Sequence, residues 1–186
     1  MFDGRDILEE HNDVPCTCTL QFMIRGDKLH MFTNMRSNDA YWGLPHDIFC
    51  FTMLQEIVAR ALSVELGTYK QAVGSLHLYD PTIDAANRFL AEGWQPTDLA
   101  MPPMPIGDPW PSVALLLQAE SAIRNQGALA VAGLAHVDPY WADLIRLLQV
   151  FRCKSDKNAD TVKGLREAMS SQIYLPFIDS VLARLS

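Results

Sequence analysis

The chain has 186 residues, 49% of them hydrophobic and 20% charged, a composition that supports a globular core and excludes a disordered chain. Its formal net charge of −7 argues against nonspecific binding to a nucleic-acid backbone, although a small anionic ligand needs only a local clamp. Apolar runs are broken by Gln, Arg, His or Glu before they reach membrane-spanning length, and no signal-peptide pattern opens the chain, so no membrane contact and a cytoplasmic location are expected.

Residues 1–14 are polar and acidic and predict a loop or short turn. Apolar β-type residues on either side of Gly26-Asp27 predict a hairpin of strands 17–25 and 28–36. From Asp47 to Leu66, Ile48, Phe51, Leu54, Ile57, Val58 and Ala61 recur at helical spacing, so one long buried helix is expected, closed by Gly67 as its C-cap. Tyr69 to Leu78 predicts a strand, and Asp80-Pro81 starts a helix to about Ala91, with Gly93 ending it. Residues 93–111 are rich in Pro, Gly and Met and predict an irregular arm. Beyond it the pattern predicts helices near 111–125, 138–152, 158–170 and 174–185, with Asp138-Pro139 and Ser155-Asp156 as helix starts. The expected fold class is α/β (α+β): a core over 1–92 and a helical C-terminal part of the same domain over 93–186.

The four cysteines, Cys16, Cys18, Cys50 and Cys153, are too few and too unevenly spaced for a disulfide framework, and no second Cys or His pair completes a metal site. Their interest lies in chemistry. Cys16 is followed by Arg36-Ser37-Asn38, then by Gly43-Leu44-Pro45-His46-Asp47, then by His77-Leu78-Tyr79. A thiol becomes a nucleophile where nearby positive charge lowers its pKa from about 8.5, and Arg36 is the candidate source. Arg36 and Ser37 also have the donor chemistry of a phosphate clamp. Asp47 is a candidate reader of a base edge, with a helix N-cap as the competing role. His77 and Tyr79, two apart on a strand, share one face. The set points to covalent chemistry on a pyrimidine nucleotide.

Pro15-Cys16-Thr17-Cys18-Thr19-Leu20-Gln21-Phe22 resembles the Pro-Cys-His…Gln-Phe segment of thymidylate synthases. Arg36-Ser37-Asn38-Asp39 resembles the family's Arg-Ser-x-Asp, Gly43 to Asp47 its Gly-Leu-Pro-Phe-Asn, and His77-Leu78-Tyr79 its His-x-Tyr. The spacings agree from Cys16 to Tyr79, and the resemblance covers roughly residues 8 to 80. It implies a thymidylate synthase-like mixed sheet that dimerises through its outer face, and one-carbon transfer from 5,10-methylenetetrahydrofolate to C5 of a pyrimidine deoxynucleoside monophosphate. Cys16 would add to C6, with Arg36 and Asp47 as its partners in the reaction. Arg36, Ser37, Gln21, Asp47, His77 and Tyr79 would hold the nucleotide. Asp39 and Gly43 would meet the reduced folate, Asp39 having a turn or cap role as the alternative. No metal is implied.

The departures carry information. Asp47 stands where the synthases have Asn. An amide both accepts and donates, as the N3–H and O4 of uracil require, whereas a carboxylate only accepts. The exocyclic amine of cytosine suits a carboxylate, and the deoxycytidylate hydroxymethylase branch is similar in carrying Asp here. The expected substrate is therefore dCMP over dUMP. Thr17 replaces the family's His and His46 its Phe. The family's catalytic Glu and further phosphate-binding Arg residues lie upstream of the Pro-Cys segment, and residues 1–14 carry no Arg-Arg pair. This leaves as the rival expectation a non-catalytic nucleotide-binding or assembly subunit, or one part of a split or truncated synthase.

Overall fold

The computed structural model describes Leu8 and residues 14–94, 99–131 and 133–185. Most of the expected N-terminal loop lies outside these residues. The chain divides into two compact units, residues 1–95 and 96–186.

The first unit is built on a mixed three-stranded sheet in the order β1-β2-β4. Strands β1 (Thr17–Arg25) and β2 (Lys28–Met35) pair antiparallel. The two residues between them, Gly26 and Asp27, have φ of 54° and 60°, the left-handed pair that matches a tight hairpin to the strand twist. Strand β3 (Asn38–Asp39) leads into helix α1 (Gly43–Ala61), and the chain returns as β4 (Glu65–Val73), parallel to β2. A short β5 (Leu76–His77) then pairs parallel with β3. A 3-10 turn at Asp80–Thr82 precedes α2 (Ile83–Ala91).

The helix expected over 47–66 is present but displaced toward the N-terminus, and it ends five residues early. Ser63 takes the left-handed conformation expected of Gly67, with φ of 55°. Its N–H bonds to Arg60 O and that of Val64 to Ala59 O, a paired closure that satisfies the last carbonyls of a helix. Gly67 lies instead within β4, where a Cβ would come within 2.8 Å of the His30 ring. The helix is also less buried than expected. Only Gln55 and Ala59 are fully buried, because one face packs on β2 and β4 while Ile48 and Phe49 remain exposed.

Alternation along β2 puts Leu29, Met31, Thr33 and Met35 on the buried face toward α1. The pairing of β2 with β4 slips between Leu29 and Met31, which frees backbone groups that must be satisfied elsewhere. Side chains satisfy two of them. Gln55 Nε2 donates to Leu29 O at 2.7 Å, and His30 Nδ1 accepts from Thr68 N at 3.0 Å.

The second unit contains α3 (Trp110–Gln126), α4 (Pro139–Asp156), α5 (Ala159–Ala168) and α6 (Leu175–Leu185). Val150, Cys153, Val162, Ile178 and Val181 form its main core. Asp138 caps α4 by accepting from Tyr140 N, as its sequence predicts. Ser155 and Asp156 do not start a helix; they end α4, and Asn158 caps α5 by accepting from Thr161 N. A short polar side chain one residue before the helix makes the better cap there. Asp143, 2% exposed, pairs with Arg146 at 2.7 Å and accepts from the N–H groups of Ser170 and Ser171, so this buried charge is fully partnered. Among the described residues no helix is long and apolar enough to cross a membrane.

Candidate functional site

The crossings of the first unit bring distant segments to one place. Arg36 N donates to Cys16 O at 2.9 Å, Gly74 N to Met35 O at 2.9 Å, Asn38 N to Ser75 O at 2.9 Å and Ala40 N to His77 O at 2.8 Å. Residues near 16, 36, 47 and 77 therefore meet beside the N-terminal end of α1. They line a cavity of about 420 Å³.

Of the sequence-predicted site residues, Cys16, Arg36, Ser37, Asp39, Gly43, Asp47, His77 and Tyr79 line this cavity. Gln21 does not. Strand alternation turns it with Met23, across from Phe32 and His30, to the sheet face opposite α1. Thr17, Met35 and Asn38 complete the lining. Met35 and Asn38 were missed as site residues. A polar Asn between two candidate ligands was the available signal, whereas an apolar Met at a strand end gives none.

Cys16 Sγ is half-buried, 3.8 Å from Val14 O. The Arg36 guanidinium holds the segment before it, donating through Nε to Pro15 O at 3.1 Å and through Nη2 to Val14 O at 2.8 Å. Its charge therefore lies along the loop that carries Cys16. Ser37 Oγ is 3.3 Å from His77 Nδ1, and the His77 ring meets Tyr79 edge to face with centroids 4.7 Å apart. These side chains form one polar wall.

Asp39 takes the cap role. Its Oδ2 accepts from Trp42 N at 2.6 Å and Gly43 N at 3.3 Å, and its Oδ1 from Tyr41 N at 3.3 Å. Slight desolvation pushes its pKa up, but the N–H groups of Trp42, Tyr41 and Gly43, with His77 nearby, hold it below the ordinary carboxylate value. It is an ionised acceptor at the mouth of a helix, where negative charge is favoured. Oδ2 already takes two bonds, whereas Oδ1 takes one and keeps acceptor capacity.

Asp47 is not an N-cap. It lies inside the first turns of α1, which begins at Gly43, so the helix-cap explanation of this residue falls away. Burial pushes its pKa above the ordinary carboxylate value, outweighing a hydrogen bond from the Asn38 side chain and the nearby His46. Gly43 has a steric reason: a Cβ there would collide with Asn38 Oδ1. Among the described residues no cluster of His, Cys, Asp and Glu is arranged to hold a metal ion.

Comparison with known proteins agrees with the motifs. A family model described as thymidylate synthase matches residues 3–108. The thymidylate synthase of Bacillus subtilis subsp. natto is 34% identical over 79 residues, 42% of this chain and 28% of that protein. The thymidylate synthase of Bacillus phage phi3T is 36% identical over 70 residues, 38% of this chain and 25% of that protein. Among solved structures, the thermostable thymidylate synthase A from Bacillus subtilis aligns with a TM-score of 0.43 and 30% identity, over 50% of this chain and 32% of that one. The chain thus spans about a quarter to a third of the length of the proteins it resembles. The family match covers more than half of this chain and takes in every residue of the cavity, and the chain belongs to the thymidylate synthase family.

Proposed function

We propose that the cavity binds a pyrimidine deoxynucleoside monophosphate, dCMP in preference to dUMP, and that the chain takes part in folate-dependent transfer of a one-carbon unit to C5 of the base. The observation that carries this reading is the convergence of Cys16, Arg36, Ser37, Asp47, His77 and Tyr79 on one cavity. Cys16 Sγ adds to C6, and the π pair of the C5–C6 bond moves to C5, which becomes the nucleophilic carbon. 5,10-Methylenetetrahydrofolate supplies the one-carbon unit when bound. Asp39 fits the pterin as an ionised acceptor with capacity left over, and Gly43 puts no side chain in its way.

Arg36 and Ser37 take the phosphate. A phosphate competes with the two carbonyls that Arg36 now binds, and bonds between two charged groups are the stronger kind. His77 and Tyr79 meet the sugar hydroxyl. Asp47 accepts from the cytosine amine, and a proton shared with N3 makes the second bond charge-assisted. Titration calorimetry with dCMP, dUMP and deoxycytidine tests the reading. Monophosphates are expected to bind, cytidylate the tighter, and absence of binding by either overturns it. Arg36→Ala is expected to weaken the monophosphates by about 1.5–3 kcal/mol, the usual range for a hydrogen bond to a charged group. Deoxycytidine should change little; equal losses for nucleotide and nucleoside would make Arg36 purely a brace for Val14 and Pro15.

The partner we propose is a second copy of this chain. The sheet face away from α1 is an open groove lined by Gln21, Met23, His30, Phe32, Thr68 and Lys70, and a back-to-back dimer would cover it. Phe32→Glu is expected to yield a folded monomer in sedimentation velocity where the parent protein is a dimer. A monomeric parent protein would remove this proposal. The cytoplasm, where thiols stay reduced, suits a protein that depends on Cys16.

A further inference from the structure

We propose that Ser37 is the positioning residue that fixes where His77 carries its proton, so that the sugar subsite demands a free 3′-hydroxyl as a donor; this rests on the phosphate role given to Ser37 and the sugar role given to His77 and Tyr79 above. Ser37 immediately precedes β3, and His77 ends β5. Asn38 N donates to Ser75 O at 2.9 Å and Ala40 N to His77 O at 2.8 Å, so two backbone bonds hold these segments in register. The side chains then meet, with Ser37 Oγ 3.3 Å from His77 Nδ1 and both groups partly buried. Tyr79 packs edge to face on the imidazole, the two planes 80° apart, which steadies the ring. With Nδ1 turned to Ser37, Nε2 is the ring nitrogen left for a ligand in the cavity that His77 lines.

The consequence follows from counting protons. A phosphate dianion only accepts, and a serine hydroxyl has a single proton to give. Once Ser37 gives that proton to the phosphate, its oxygen serves His77 only as an acceptor, and Nδ1 must carry the imidazole proton. A neutral imidazole holds one such proton, so Nε2 is left bare. A bare Nε2 accepts from the sugar hydroxyl, whose oxygen accepts in turn from the Tyr79 hydroxyl. The direction of each bond from phosphate to sugar is then fixed. Without a phosphate, Ser37 is free to donate to Nδ1, and Nε2–H then donates outward. The phosphate end of the ligand thus decides what the sugar end must offer. A 3′ substituent that only accepts, such as fluorine or an esterified oxygen, meets a lone pair. The subsite therefore selects a free mononucleotide over one linked through its 3′ oxygen.

The test reads the ring nitrogens of His77 by ¹⁵N NMR at about pH 8, above the ordinary histidine value of about 6.5, with inorganic phosphate and with dCMP. With either ligand bound, Nδ1 is expected to be protonated and Nε2 bare. A bound complex with Nε2–H, or with both nitrogens protonated, overturns the inference. Calorimetry of dCMP against its 3′-deoxy-3′-fluoro analogue gives a second readout. The wild type is expected to bind the fluoro analogue about tenfold or more weakly, the cost of an acceptor left unpaired; equal affinity overturns the inference too. Ser37→Ala frees the imidazole to take either tautomer, so the fluoro penalty should shrink severalfold, and Ser37→Thr, which keeps the hydroxyl, should restore both the penalty and the bare Nε2. A penalty unchanged in a folded Ser37→Ala protein overturns the role of Ser37. The wild-type spectra decide the matter if that variant does not fold. The two levels separate cleanly. If neither phosphate nor dCMP binds, the nucleotide reading itself has failed and the inference falls with it. If they bind and Nε2 is not bare, only the role of Ser37 has failed.

Discussion

Cys16→Ser is expected to abolish covalent capture of a 5-fluoropyrimidine deoxynucleotide in the presence of methylenetetrahydrofolate, while reversible nucleotide binding survives. A hydroxyl is a far weaker nucleophile than a thiolate, and the rest of the cavity does not depend on the sulfur. The measurement is intact mass after denaturation, with and without folate. The parent protein supplies a control in its other thiols. Burial pushes the Cys153 thiol up, with Asp156 adding to the effect, and a buried high-pKa thiol reacts slowly. Cys16 should therefore be alkylated faster than Cys153, and bound dCMP should protect it. Equal labelling without protection would remove the nucleophile assignment. Binding without any covalent capture by the parent protein would favour the rival reading, a nucleotide-binding subunit that does no turnover on its own.

Asp47→Asn is expected to reverse the preference between dCMP and dUMP. A site built to pair with one polar edge rejects the mismatched edge by a factor of ~10⁴, so each nucleotide should change by orders of magnitude in opposite directions. Calorimetry of both ligands against both proteins reads this directly. A parent protein that prefers dUMP would overturn the cytidylate assignment. The same substitution has a stability signature whose sign follows from burial. Asp47 has a raised pKa in the folded state, so above that pKa its charge costs stability. The cost is relieved as pH falls through the folded pKa and is gone below the unfolded value of about 3.9. Asp47→Asn should therefore melt at or above the parent temperature at pH 7, with the difference shrinking toward pH 4. A variant less stable at pH 7 would show that the carboxylate has a structural partner worth more than its desolvation.

Much of the first unit was legible because its signals are local. The Gly26-Asp27 turn between two β-rich runs defines the hairpin, and its two positive φ angles are the conformation that such a dipeptide tolerates. The helix at Asp47 was legible in existence but not in extent. The expected helix carries on to Leu66, yet Ser63 turns left-handed and β4 begins at Glu65. Periodicity cannot distinguish the last turn of a helix from the first residues of a buried strand. In the second unit, Asp138 was legible as a cap, whereas Ser155-Asp156 offered an equally plausible cap that α4 runs through.

The sequence by itself determined the family, through motifs at fixed spacing, and it named nearly every residue of the cavity, because those motifs are chemical identities that survive without coordinates. Tertiary structure decided what each residue is free to do. It turned Gln21 to the outer sheet face through a two-residue period, gave Asp39 to the N–H groups that lead into α1, and set Arg36 on the carbonyls just before Cys16. It also set the Asn38 side-chain oxygen against Gly43 at the start of α1. Hydrogen bonds and close packing between residues far apart in the chain depend on how strands cross, and no local pattern records that crossing.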